Sequence, residues 1–265
     1  MPELPEVEIN CQHLHRHLQG ATIKRVEVLR SAGRFLSEGS VEGRRVTDVR
    51  RVGKLIIIAL DDGTWVRSHL AMSGLWSSRG EPWSFDYVEA KREPGDERHA
   101  RLVLHTDRGE MVYHDQRMFG RMEHGPGRID MLPGQGYEWI ETERGVFDTP
   151  SISWLCERTG AAGKVAVRSF LCDQRELPGV GNIYSAEAMF WMHLYPGTLC
   201  EKLDFEKVVT LRRETQRALQ AAITRGLDYS SLAVYRKKLC PFGHQISTMK
   251  MDGRTVYLCE TCQPR

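Results

Sequence analysis

Pro2 followed by Glu3 is the pair in this chain best suited to covalent chemistry. Removal of Met1 would turn the proline nitrogen into a free secondary amine, and an α-amino group titrates near pH ~8 where a lysine titrates near ~10.4. Far more of such a terminus is neutral and nucleophilic at pH 7, without any need for burial. A secondary amine adding to an aldehyde carbon forms an iminium, which acidifies the adjacent C–H, and a neighbouring carboxylate can carry the protons. Sugar aldehydes are natural targets for that reaction. A second constellation lies far along the chain, where Cys240, His244, Cys259 and Cys262 read Cys-x3-His, a 14-residue spacer, then Cys-x2-Cys. Two close ligand pairs of this kind suit a tetrahedral Zn²⁺ and leave no open coordination position, so one structural zinc ion is expected. Within the spacer, Asp252-Gly253 is a hairpin-turn signal that would offer Arg254 near a tip, where a cation can meet a phosphate.

The elements that must position these groups fall into two halves, as a length of 265 residues suggests. Residues 23–29, 46–52, 54–60, 64–70, 101–106 and 110–114 are short β-rich runs separated by turns, the pattern of a sandwich or barrel. Ahead of them, Val7, Cys11, Leu14 and Leu18 recur at helical spacing, so a helix should tether the amino terminus to that sheet. Residues 125–136 are rich in Gly and Pro and read as the start of a linker running toward Pro150. Beyond it the pattern turns helical, with Asp204 as an N-cap and Gly226 as the stop of one long helix. Leu177-Pro178-Gly179-Val180-Gly181-Asn182-Ile183-Tyr184 reads as a tight turn opening onto a helix N-terminus, a geometry suited to phosphate. The fold class is thus multidomain α and β, a β-sandwich with an N-terminal helix followed by a helical domain and a metal-stapled β-hairpin. The expected boundaries are 1–124, 125–150 as linker, 151–235 and 236–265.

The charge balance, 37 Lys and Arg against 35 Asp and Glu, does not by itself announce a nucleic-acid partner, so local placement must carry that argument. The longest aliphatic run, Leu55 to Leu60, is far shorter than the ~20 residues of a membrane span, and a soluble intracellular protein is expected. The scattered Cys11, Cys156, Cys172 and Cys200 agree with a reducing compartment.

MPELPEVE at the start, RRVGKLIII around Lys54, HLAMSG from His69, DQRMFG from Asp115, LPGVGNIYSAE from Leu177 and the Cys/His hairpin occur in a recognisable order. Together they resemble the formamidopyrimidine-DNA glycosylase and endonuclease VIII family over nearly the whole chain. The resemblance implies an N-terminal β-sandwich, a helix-two-turn-helix domain and a zinc finger that grip damaged or abasic DNA as a monomer. It implies that a flipped nucleotide is attacked at C1′ by Pro2, with Glu3 moving protons at the sugar, the base expelled through a Schiff base, and both flanking phosphates released by β,δ-elimination. By the same resemblance Lys54 and Arg254 contact phosphate and deliver protons. Met72, Arg117 and Phe119 fill the hole left by the extruded base, Asn182 and Lys164 contact the backbone, and Glu6 and Glu187 occupy supporting positions.

Three departures from the family pattern matter. His244 stands where most bacterial relatives have a fourth cysteine, with a three-residue spacing in the first ligand pair, and zinc binding should survive this. Asp115-Gln116-Arg117-Met118-Phe119-Gly120 keeps the first arginine and the wedge of the DPRRFG pattern but not its second arginine, which bears on the opposite base. Only Leu227 to Leu239 separate the last long helix from the hairpin, where members specialised for 8-oxoguanine carry a longer capping loop. Weak 8-oxoguanine activity is therefore expected, with ring-opened purines, hydantoins, oxidised pyrimidines or abasic sites preferred. The competing readings are a noncatalytic damaged-DNA-binding protein that keeps the fold and a Pro-terminal tautomerase, the latter leaving the zinc hairpin unexplained.

Overall fold

The structure is a computed structural model that describes residues 1–30, 33–80, 97–126, 137–146 and 148–265. The chain divides into two compact units, Met1–Leu132 with Thr142–Val146, and Pro133–Glu141 with Phe147–Arg265.

The first unit opens with α1 (Leu4–Leu18), which begins three residues ahead of the apolar periodicity. The early start has a local cause. Glu3 is the N-cap and its carboxylate accepts the Glu6 backbone N–H, while the Glu6 carboxylate accepts the Glu3 N–H at 2.7 Å. This is a reciprocal capping box, and Pro5 falls in the first turn, where a missing N–H costs no hydrogen bond. The strands are β1 (Ile23–Val28), β2 (Val46–Val52), β3 (Leu55–Leu60), β4 (Thr64–His69), β5 (Gly74–Ser78), β6 (Ala100–Thr106), β7 (Gly109–Asp115) and β8 (Arg121–Pro126). They form two antiparallel four-stranded sheets, ordered β1-β6-β7-β5 and β2-β3-β4-β8. Val7, Cys11, Leu14 and Leu18 of α1 share one buried core with Ile56 of β3 and Trp76 of β5, so the helix bearing the amino terminus is packed, as its spacing implied.

Two strands lacked a sequence signal. β5 reads Gly-Leu-Trp-Ser-Ser and is buried along its whole length, so it shows no alternation of polar and apolar residues. β8 ends in Gly125-Pro126, which the composition placed in a linker. Those two residues instead pair with Trp65 and Thr64. β8 is an edge strand, where proline is tolerated, and the Trp65 ring covers Gly125 so closely that a Cβ there would lie 3.2 Å from it. The rest of that glycine-rich stretch, 127–136, lies outside the described residues.

The second unit holds α2 (Ile152–Ala162), α3 (Val167–Cys172), α4 (Asn182–Trp191), α5 (Phe205–Thr224) and the hairpin β9 (Ser247–Met251) and β10 (Arg254–Leu258). Asp204 caps α5 by accepting the Lys207 N–H at 2.8 Å, and Gly226 adopts a φ of 64° just beyond the last turn. In the hairpin Met251 pairs with Arg254, leaving the two-residue turn Asp252-Gly253 with φ of 49° and 71°. Positive φ at both central residues is the twist-compatible hairpin turn that Asp-Gly favours. No described helix is long and apolar enough to cross a membrane.

Candidate functional site

Pro2 and Glu3 are both buried directly before α1. Glu3 is 1% exposed, and its carboxylate sits at the positive end of the helix, where the capping box fixes it beside Pro2. Glu6 is consumed by the same box, and its carbonyl also accepts the Asn10 side chain at 3.1 Å. Its geometry is that of a support. With Met1 attached, the Pro2 nitrogen is an amide, so nucleophilic chemistry requires the processed chain.

Lys54 is half-buried in the two-residue turn joining β2 to β3, where Gly53 supplies a φ of 55°. Arg51, itself fully buried, donates to the Gly53 carbonyl at 3.1 Å and so braces that turn. Leu55, the residue after Lys54, is paired with His69. Burial, then the charges of Lys54, Arg67 and Arg121, hold the His69 imidazole below its usual range, so it is neutral at pH 7 beside a lysine. His69 lay within a recognised motif but was not singled out, because a lone histidine in a strand-end motif carries no spacing signal.

Met72, Arg117 and Phe119 come from the loops before β5 and after β7, and Gly74 and Asp115 are paired across those strands. Met72 and Phe119 are 38% and 45% exposed, which no core role explains. The Arg117 guanidinium lies 4.9 Å from the Phe119 ring centroid, a cation–π stack. Met118 turns inward, with a φ of 57°, and packs on the core.

In the second unit Asn182 is the first residue of α4, as the glycine turn implied. Its side chain is committed within the protein. Oδ1 accepts from Arg168 at 2.8 Å, and Nδ2 donates to the Thr255 carbonyl of β10 at 2.9 Å. Arg168, 1% exposed, also donates to Asp252 at the hairpin turn at 2.8 Å, and the Ser169 hydroxyl donates to the same oxygen at 2.6 Å. Asn182 and the hairpin turn are thereby locked together, and Arg254, beside Thr255, is left exposed. Arg168 and Asp252 were not foreseen as positioning groups, since their meeting depends on how α3 and the hairpin pack. Lys164 is exposed in the turn between α2 and α3. Glu187 is buried and accepts three backbone N–H groups, from Ala233 at 2.6 Å, Val234 at 3.0 Å and Tyr235 at 2.9 Å. Burial raises its carboxyl even against those bonds, and its geometry is that of a clamp on the chain entering the hairpin.

Cys240, His244, Cys259 and Cys262 present ligand atoms all within 4.8 Å of one another. His244 Nδ1 lies 3.3 Å from Cys262 Sγ and 3.7 Å from Cys240 Sγ, edges close to the ~3.6 Å of a tetrahedron with Zn–S and Zn–N bonds of ordinary length. The donor set and spacing fit a structural Zn²⁺. The site is also braced from outside. Gln263 receives the Cys259 N–H at 3.0 Å and donates to the Leu194 carbonyl at 2.9 Å, and His193 bonds the Cys262 carbonyl at 3.0 Å.

Fold and site together define a two-unit α and β protein with a capped N-terminal proline-glutamate pair and a Cys3His hairpin. A model of the formamidopyrimidine-DNA glycosylase N-terminal domain matches residues 1–122, and a model of the formamidopyrimidine-DNA glycosylase H2TH domain matches residues 149–233. The formamidopyrimidine-DNA glycosylase of Methylococcus capsulatus is 31% identical, covering 99% of this chain and 100% of its own, and that of Exiguobacterium is 30% identical with full coverage of both. The chain belongs to the formamidopyrimidine-DNA glycosylase family. Among solved structures, the MutM (Fpg) protein of Thermus thermophilus superposes with a TM-score of 0.80 at 27% identity, over 99% of this chain and 98% of that one. The Lactococcus lactis enzyme bound non-covalently to DNA containing an AP site shares the fold, with a TM-score of 0.81 at 24% identity.

Proposed function

We propose that this protein is a DNA glycosylase of base excision repair that also acts as an AP lyase, with Pro2 as nucleophile and damaged or abasic DNA as substrate. The observation that carries the reading is the Pro2-Glu3 pair, held buried at the first turn of a packed helix by a reciprocal capping box. The processed Pro2 nitrogen attacks C1′, the C1′–N bond breaks, and the base leaves with a proton. The C1′–O4′ bond then opens, with O4′ taking a proton by way of Glu3, and the iminium so formed loses a C2′ proton with Glu3 again as carrier. β-Elimination then breaks the C3′–O bond, and δ-elimination breaks the C5′–O bond. Lys54 and Arg254 bind phosphate, Lys164 and the Asn182 Nδ2 hydrogen not given to Thr255 contact the backbone, and Met72, Arg117 and Phe119 occupy the vacated stack. In this reading residues 1–124 form the catalytic domain, 151–235 the helix-two-turn-helix domain and 236–265 the zinc hairpin.

Ring-opened purines, hydantoins, oxidised pyrimidines and abasic sites are better substrates in this reading than 8-oxoguanine. The segment that could cap a base, Leu227 to Leu239, is short, and part of it is tied down by Glu187 through Ala233, Val234 and Tyr235. The decisive experiment is borohydride trapping of the Met1-processed protein on an abasic-site oligonucleotide, with the adduct mapped by mass spectrometry. A crosslink at Pro2 that disappears in Pro2→Gly is expected. No crosslink, with DNA binding intact, would leave a noncatalytic damaged-DNA-binding protein.

A further inference from the structure

Asp115 ends β7 fully buried, and its carboxylate joins the two loops that carry Met72, Arg117 and Phe119. Oδ1 accepts the Ser73 hydroxyl at 2.5 Å and the Arg117 backbone N–H at 3.2 Å, and Oδ2 accepts the Gly120 N–H at 2.7 Å. Ser73 Oγ in turn accepts the Arg117 N–H at 3.0 Å, so that amide is shared between the two side chains. The Asp115 backbone is fixed as well, donating to the His99 carbonyl at 2.9 Å and accepting from Arg101 Nε at 2.7 Å. A buried carboxylate is costly unless its lone pairs are satisfied, and here every donor named to it belongs to one of the two loops.

Solvent-exposed apolar side chains contribute little to holding a loop in place, so Met72 and Phe119 need an external brace if they are to stand ready for a partner. Asp115 supplies it from below through hydrogen bonds, and Met118 supplies it by packing inward on the core. Sterics add a third constraint. A Cβ at Gly74 would lie 2.2 Å from the Tyr113 hydroxyl, and one at Gly120 would lie 1.9 Å from it, so both loops close on the same phenol oxygen. The result is one preformed unit built from two loops, with Arg117 stacked on the Phe119 ring.

We infer that Asp115, acting with Ser73, is a positioning residue that sets the two loops as a rigid wedge for insertion into a DNA duplex. The inference rests on the reading of Met72, Arg117 and Phe119 as groups that fill the stack. A wedge ordered in advance loses less freedom on insertion, so its loss slows duplex opening more than chemistry at an unstacked site.

The test compares wild type, Asp115→Asn and Ser73→Ala as full-length, zinc-loaded proteins on an abasic site placed in a duplex and in a single strand, under single-turnover conditions. Asparagine keeps the shape but accepts on one oxygen only, so it cannot serve both Oδ1 and Oδ2 partners. The expected result is a fall in the ratio of duplex to single-strand cleavage on the order of tenfold to a hundredfold for Asp115→Asn, and less for Ser73→Ala. A readout independent of cleavage is 2-aminopurine opposite the site, whose fluorescence should rise on wild-type binding and rise less with the variants. An unchanged ratio with an unchanged fluorescence rise overturns the inference, as does an equal loss on both substrates. Should Asp115→Asn not fold, Ser73→Ala is read by the same criteria. Wild type that neither cleaves nor crosslinks overturns the proposed Pro2 lyase chemistry itself, which separates that failure from this one.

Discussion

Glu8 shows how much of this protein's organisation rests on single buried charges. Its carboxylate accepts from Arg51 Nε at 2.7 Å, from the Thr142 hydroxyl at 2.6 Å, from the Arg144 N–H at 3.1 Å and from Gln12 at 3.0 Å, and both members of the ion pair are wholly buried. The pair therefore anchors α1, the end of β2 and the returning segment 142–146 to one another. Burial alone would raise the Glu8 carboxyl, but the Arg51 charge and the bonds from Thr142, Arg51 and Gln12 hold it below the usual carboxylate value of 4.5. A lowered folded pKa contributes stability above the unfolded value, and that contribution is lost as pH falls through the folded one. Glu8→Gln should accordingly flatten the acid limb of a plot of urea midpoint against pH below ~4.5. Arg51→Met strands a buried carboxylate and should cost about 3–5 kcal/mol by urea unfolding at pH 7. An acid limb identical to wild type in Glu8→Gln would remove the pair from this role.

At the scale of elements, the hairpin β9–β10 has little apolar core of its own and depends on attachments at both ends. Its turn is held by Arg168 and Ser169 through Asp252, and its base by the Cys/His cluster. If the cluster holds zinc as its donor set fits, Cys259→Ser should lower the zinc content and loosen the hairpin, read by mass spectrometry and as faster amide exchange through residues 247–258. Zinc content equal to wild type would show that the cluster is not the metal site. The Cys/His cluster was legible in sequence because a tetrahedral site would impose such a spacing on the chain, and α5 was legible from Asp204 and Gly226 because caps are local. β5 and β8 were not, since burial along a whole strand erases alternation and a covered edge glycine looks like a linker. The start of α1 was missed because Glu3 and Glu6 cap each other, an arrangement that apolar periodicity does not register. Asp115 was quoted only as the first letter of a motif, and Arg168 not at all, because their partners lie in segments distant in sequence, such as Ser73 and Asp252.

For the whole molecule, a formal charge of +2 forbids any account of DNA affinity based on net charge. In the proposed reading affinity comes instead from a few placed cations, Lys54 and Arg117 in the first unit and Lys164 and Arg254 in the second. Each phosphate neutralised on duplex DNA releases condensed counterions and contributes about −0.9 to the slope of log affinity against log salt. Four contacts give a slope of about −3.6, measurable by fluorescence anisotropy on an abasic duplex between roughly 50 and 200 mM salt. Lys164→Ala with Arg254→Ala should make that slope shallower by about 1.8 while leaving the first unit's contacts in place. A slope unchanged in the double variant would mean that the second unit does not meet the phosphates through these side chains. A wild-type slope near zero would deny the protein an electrostatic grip on DNA and remove the phosphate contacts proposed for all four side chains.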